Sequence, residues 1–258
     1  MLNSMTTLDL VHVATAVAML VLIALELRVP GFRADSFAAG ARRRRNWAYL
    51  LVSLLPILGI QAMARVLQGH LPTLVPVGSL PFWLDIVLCT LVAEWVTWVL
   101  HWVKHRNRFL WTLHFQHHRE DHFSVWMVAH THALEVFLSG SLMVALLVGL
   151  GFAPLSIQLY LGLYSVALVY HHSAHGYSLG WMDRVITSPA YHRIHHWPDG
   201  AGNYGAALTV WDVLFGTAAW PDAATHDAPV GLAADAREPF GFSQEMVYFL
   251  SVWRGPRP

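Results

Sequence analysis

Histidine carries most of the chemistry available to this chain. Seventeen of its 258 residues are histidine, against sixteen lysine plus arginine and sixteen aspartate plus glutamate. Two half-patterns repeat. His101 and His105 stand i, i+4 and are followed by His114, His117 and His118 at i, i+3 and i+4; His171 and His175, then His192, His195 and His196, repeat both spacings. On a helix each set projects from one face. Ten imidazoles exceed what one first-row metal ion coordinates, so the pattern predicts two ions. Without metal, so many rings beside a bilayer would each need a hydrogen-bond partner and, if charged, would repel one another. Imidazole suits zinc, copper, iron and nickel, and neither a thiolate nor a Glu-x-x-His motif narrows the choice, so zinc fits the spacing too. His171 is preferred to His172 because it alone lies i, i+4 from His175, whereas His122, His130 and His132 lie outside the repeated spacings.

One acid joins the set. Glu94 precedes His101 by seven positions, two helical turns, and so lies on nearly the same face about 10 Å along the axis. An acid within an apolar run is costly and usually functional, which makes Glu94 a candidate catalytic residue, behind the ligands or as a proton relay. A protonated carboxyl bonded to a neighbouring helix is the structural alternative. No substrate-binding residue is identifiable.

These residues need elements to hold them. The chain is 55% hydrophobic and 12% charged, where a soluble domain carries about 25% charged residues. Five apolar segments stand out, at 8–27, 47–67, 80–103, 133–150 and 153–170, against the roughly 20 residues a spanning helix needs. The last two are short and form either a tight hairpin or a shallow pair. Together they predict an all-α integral-membrane helical bundle with a histidine-rich helical cap, one domain over 1–258. Arg33 and Arg42 to Arg45 follow the first segment, while the loop 68–79 and the turn near Gly151 hold no lysine or arginine. This bias places the arginine loop, both histidine sets and the cap in the cytoplasm. No cleavable signal and no C-terminal retrieval or lipidation motif is evident, which favours a bacterial inner membrane over the endoplasmic reticulum. The single cysteine, Cys89, excludes an intrachain disulfide, and the balanced charge gives no reason to expect nucleic acid. Trp95, Trp98 and Trp102 read as interfacial residues. Residues 241–253 suit an interfacial helix or one packed on the cap.

The run "EWVTWVLHWVKHRNRFLWTLHFQHH" resembles the first two histidine boxes of the fatty acid hydroxylase and sterol desaturase superfamily, integral-membrane non-haem di-iron enzymes. "DRVITSPAYHRIHH" resembles its last box and "NYGAALTVWDVLFGT" the segment that follows, so the likeness runs from about 94 to 217. The chain departs from the family pattern at Ser124, His130 and Ala133, where asparagine, arginine and proline are common, and keeps His132 and Glu135. The resemblance implies a helical stem, a cytosolic histidine cap and the same ten histidines as ligands of two iron ions. It also implies oxidoreductase chemistry: O2 as co-substrate, hydroxylation or desaturation of a C–H bond in a lipid drawn from the bilayer, and electrons from a separate ferredoxin- or cytochrome-type donor. Sterol, carotenoid, fatty acyl chain and aminolipid all fit an apolar stem under a polar cap. The alternative reading is a redox-inert membrane metal-handling protein, which would place ionisable residues along several spans.

Overall fold

The computed structural model describes residues 6–29, 40–200, 202–225, 227–232 and 241–250. Arg33 and the C-terminal residues 251–258 lie outside that set.

Each apolar segment becomes a helix. The first is α1, Thr7–Glu26, whose start is closed by a capping box between Thr6 and Asp9. The second is α2, Gly40–His70, which begins before its apolar run and contains Pro56. Next come α3, Phe82–Lys104, α5, Ala133–Leu150, and α6, Pro154–His171, with proline in its first turn, where the missing N–H costs nothing. Four of them, α1, α2 from Arg44, α3 and α5, are long and apolar enough to cross a membrane. The fifth segment is 18 residues of helix but is not among the four, because Ser156, Gln158, Ser165 and three tyrosines dilute its hydropathy. Large apolar side chains such as Leu20, Leu55, Leu58 and Leu142 face outward on these helices. Water would penalise that surface and lipid does not, so the protein is an integral membrane protein.

Packing places α3 at the centre, against both α5 and α6, with α1 on α6 and α2 on α5. The core between them joins Ala64, Cys89, Ala93, Val96, Val144, Leu147, Ile157 and Tyr160. Gly151 ends α5 in the left-handed region, at φ 93°. A Cβ there would lie 1.9 Å from the Val75 carbonyl oxygen, so only glycine lets the hairpin turn against the 71–80 loop.

The cap grows from the ends of α3 and α6. It comprises α4, Arg108–His118, a 3-10 turn at Val125–Val128, a second at Gly180–Arg184, α7, Pro189–His195, α8, Val210–Phe215, and α9, Phe242–Val247. Among the described residues there is no strand, and the only extended pairing is an isolated bridge from Ile186 to Leu208. The C-terminal segment packs on the cap. Glu245 of α9 bonds Arg119 and Tyr49, and Gln116 donates to the Glu245 carbonyl at 2.7 Å. Of the three tryptophans expected at the interface, Trp95 is exposed but Trp98 is 6% exposed. Its indole N–H donates to Asp212 at 2.9 Å, because α8 covers that face of α3.

Candidate metal centre

Four pieces of backbone aim the histidines at one place. His101 is on the last full turn of α3, and His105, its C-cap, is still helical at φ −74° and ψ −13°, so the i, i+4 projection holds. Asn107 caps α4 by accepting the Leu110 amide at 3.1 Å. That sets the phase of α4 so that Thr112 to His118 are all buried. Ser188 caps α7 in the same way, accepting the Tyr191 amide at 3.1 Å, and α7 is short and almost wholly buried.

Two groups result among the described residues. In the first, one nitrogen from each of His101, His105, His114, His118 and His195 lies within 4.8 Å of the others; in the second, the same is true of His117, His172, His192 and His196. The groups are not the two halves of the sequence. Helix α4 sends His114 and His118 to the first and His117 to the second, while α7 sends His195 to the first and His192 with His196 to the second. The His118 and His196 rings stack at 4.4 Å where the groups meet.

The spacing argument selected ten residues, and the structure brings eight of them into these groups. His171 and His175 lie outside. Helix α6 stops at His171, and His172 at φ −89°, ψ 7° turns the chain away, so four residues on is no longer one helical turn. His175 is exposed, with Nε2 3.3 Å from the Leu25 carbonyl. His171 is buried against the second group, its ring 4.0 Å from that of His192. Its Nδ1 donates to the Ala206 carbonyl at 2.9 Å, while its Nε2 has no partner. His172, which the spacing argument set aside, takes the fourth place instead. The signal available was Gly176, with Ser173 before it, soon enough after His172 to end a helix. His130 bonds Asn46 at 2.8 Å and Glu120 at 3.1 Å, and His132 bonds the Met246 carbonyl at 3.0 Å, so both serve the cap's framework.

The hydrogen bonds decide which ring nitrogens are free. A carbonyl only accepts, so an Nδ1 facing one carries the proton, and in the neutral ring Nε2 is then a bare lone pair. His101 donates to the Tyr204 carbonyl at 3.0 Å, His117 to that of Met127 at 3.0 Å, His172 to that of Leu168 at 2.8 Å, and His195 to that of Gly202 at 2.7 Å. His114 donates to the Glu135 carboxylate at 3.0 Å, and Lys104 pairs with the same oxygen at 2.7 Å. The Nε2 atoms then confront one another: His101 and His114 at 3.1 Å, His117 and His172 at 3.1 Å, His172 and His192 at 3.1 Å, His118 and His195 at 3.0 Å. Between His101 and His114, and between His117 and His172, both Nδ1 atoms are donating elsewhere, so lone pair meets lone pair, which is not a hydrogen bond. Two nitrogens on one ion at about 2.1 Å each lie about 3.0 to 3.4 Å apart for right-angled or tetrahedral ligation, and a ligating histidine gives its other N–H to a carbonyl or carboxylate, so the residues fit a metal. The Nε2 of His105, buried without a partner, fits too.

Electrostatics agree. Burial, reinforced by neighbouring imidazoles, holds His117, His118, His172, His192 and His196 well below the ordinary imidazole value. Burial also brings His195 down to about 3, against the opposing pull of its bond to Gly202. Neutral rings are what a cation requires.

Glu94 touches the site through backbone. One oxygen accepts the amides of Ala207 and Leu208 at 2.9 and 2.8 Å, and the other accepts the Tyr160 hydroxyl at 3.2 Å. Asp212 holds the same segment, accepting the amides of Tyr204 and Gly205 at 2.9 and 2.8 Å.

Comparison with known proteins places this arrangement. The family model for fatty acid hydroxylase matches residues 86–217, slightly more than half of the chain and the whole histidine array. The chain belongs to the fatty acid hydroxylase family. Among curated relatives, it is 30% identical to the ornithine lipid hydroxylase OlsE of Rhizobium tropici over 142 residues, 53% of this chain and 42% of that protein. It is 24% identical to the alkylglycerol monooxygenase of Caenorhabditis elegans over 173 residues, 65% of this chain and 32% of that protein. With the human alkylglycerol monooxygenase the identity is 23% over 127 residues, 45% and 26% of the two chains. This member of the fatty acid hydroxylase family therefore spans less than half the length of each of these relatives. No solved structure matches it.

Proposed function

We propose that this protein is a membrane-bound lipid hydroxylase that works with two iron ions, O2 and electrons from a separate ferredoxin- or cytochrome-type donor. The carrying observation is the set of Nε2 atoms facing one another at 3.0 to 3.1 Å in two groups, with His101, His114, His117, His172 and His195 each anchored through Nδ1. The two groups support two ions, with zinc an acceptable substitute in the same donor set. Nine ligands are assigned: His101, His105, His114, His118 and His195 to one ion, His117, His172, His192 and His196 to the other. His171 supports His192 and His172 from behind.

When bound, the iron pair supplies the activation of O2 and the oxidising power needed for an unactivated C–H bond. In the balanced reaction a C–H bond becomes C–OH, the second oxygen atom leaves as water, two electrons come one at a time from the donor, and two protons come from solvent. The protein's part is to orient and to exclude water. Carbonyls of Tyr204, Met127, Leu168 and Gly202 fix the ring tautomers. Glu135 does so for His114, and Lys104 offsets its charge. Glu94 is a positioning residue rather than a proton relay. Both its oxygens are engaged, and the segment it holds carries the Tyr204 and Ala206 carbonyls that orient His101 and His171.

A polar-headed bilayer lipid is the proposed substrate, a choice supported by what the relatives are named for, ornithine lipid and alkylglycerol. Hydroxylase and monooxygenase as their printed activities support oxygen insertion over desaturation. The arginine-rich stretch after α1 supports a site facing the cytoplasm, and a bacterial inner membrane is the proposed location.

The test is lipid mass spectrometry. Iron-loaded protein in liposomes of bacterial lipid, given a reduced ferredoxin and isotopically heavy O2, should add one heavy oxygen atom to a lipid. Loss of two hydrogens instead would mean desaturation. Unchanged lipids with full metal, together with an absorption spectrum indifferent to reductant, would overturn the hydroxylase reading in favour of redox-inert metal handling.

A further inference from the structure

The segment 204–217 meets α3 deeper than a cap resting on the membrane surface would. At the histidine end, the Tyr204 carbonyl holds His101. Three residues later the Ala207 and Leu208 amides bond Glu94. Seven helical residues separate His101 from Glu94, about 10 Å along the axis, and the Tyr204 carbonyl and Ala207 amide meet these two side chains in turn. Tyr204 to Ala207 therefore descends alongside α3. Helical side chains tilt toward the N-terminus, here away from the histidine end, so Glu94 reaches further down. A helix of 23 residues is about 34 Å long against a hydrocarbon thickness of about 30 Å. Glu94, just past its midpoint, is well inside. The chain then returns along α3. Asp212 takes the Trp98 indole N–H at 2.9 Å, Phe215 stacks on Trp98 at 4.5 Å, and the Asn203 amide bonds the Thr217 carbonyl at 3.0 Å to close the loop.

Its outward face is apolar. Val185, Ile186, Val210, Val213, Leu214 and Phe215 are exposed, Leu214 at 67%. The only charged residue in 204–217 is Asp212, which is fully buried. Irregular backbone survives at membrane depth only where its polar groups are met from within. Here the Thr187 amide bonds the Ala207 carbonyl at 3.0 Å, the Thr209 amide bonds that of Val185 at 3.1 Å, and Glu94 takes the next two amides. Arg184, at the rim, lies over the Trp220 ring at 5.4 Å, a pairing suited to the headgroup level.

We propose that residues 205–215, with 185–187 paired to them, form a re-entrant wedge seated in the bilayer beside α3, its outward face covered by lipid acyl chains. Phe215, itself exposed, stacks on Trp98 of α3, one turn from exposed Trp95, so the face joins the outward apolar surface of that spanning helix, which identifies lipid as the occupant. The inference needs α3 to cross the membrane and is independent of the hydroxylase reading.

Site-directed spin labelling tests it on the full chain in phosphatidylcholine liposomes, in a Cys89→Ala background. Leu214→Cys and Val213→Cys report on the wedge, Leu142→Cys on a lipid-facing span, and Ala223→Cys on exposed cap. The wedge labels should match Leu142→Cys, accessible to oxygen and several-fold less accessible to a water-soluble nickel chelate than Ala223→Cys. Nickel access equal to that of Ala223→Cys would overturn the proposal. So would poor oxygen access with label–label broadening, which would make this face an interface between two copies. Two reporting positions keep the test decisive if one variant fails to fold.

Discussion

An imidazole whose Nδ1–H is fixed on a carbonyl has one orientation and one outward lone pair, and this distinguishes His172 from His175. His172 is held by the Leu168 carbonyl with its Nε2 3.1 Å from those of His117 and His192. His175 is exposed and faces the Leu25 carbonyl. His172→Ala should therefore lose about half of the bound metal and all turnover, and His175→Ala should keep both, as metal analysis of the purified variants will read. The reverse outcome would restore the assignment by spacing. Buried rings also predict a pH dependence for metal-free protein. With His195 at about 3 against an ordinary 6.5, the unfolded chain binds a proton between those values that the folded chain does not. Stability must then fall as pH drops below about 6.5, by about 1.4 kcal/mol per pH unit for each such ring, and stay flat above it. Thermal melts of the apo protein in detergent should show a lower Tm at about pH 5 than at about pH 7. A Tm unchanged over that range would mean that the rings titrate normally.

At the scale of elements, Glu94 and Asp212 hold the 204–208 segment between them, and the segment's carbonyls hold His101 and His171. Glu94→Ala removes the acceptor that two backbone N–H groups need. It should reduce bound metal with little change in the lipid substrate's KM, whereas a pure proton relay would leave metal content intact and lower kcat alone. How much was legible follows from where periodicity holds. The helices α3 and α4 keep 3.6-residue geometry through His105 and His118, so the first two boxes were readable from spacing. At α6 the helix ends at His171, and the same i, i+4 rule pointed to His175, beyond the break. Spacing within one helix also carries no information about which neighbour a face meets. The interleaving of α4 and α7 between two groups, and the descent of 204–208 along α3, depend on tertiary contacts between residues more than 70 positions apart. The spans were plain, because apolar runs of about 20 residues have few other fates.

For the whole molecule, both histidine-bearing helix ends lie on one side of the bundle, and the proposed orientation, with the arginine-rich stretch after α1 inside, would put that side in the cytoplasm. In sealed right-side-out vesicles, Asp199→Cys should resist a membrane-impermeant thiol reagent and Val77→Cys should react, both in a Cys89→Ala background. Equal labelling would overturn the orientation. The central claim, that one chain holds two redox-active metal ions between α3, α4, α6 and α7, is tested most directly by iron analysis of the purified protein, read before and after reduction. The account predicts two irons per chain, a visible absorption band in the oxidised protein that is lost on adding reductant and returns with O2, and about one iron in His172→Ala. One iron per chain in the unaltered protein, or two metals whose spectrum ignores reductant and oxygen, would contradict it.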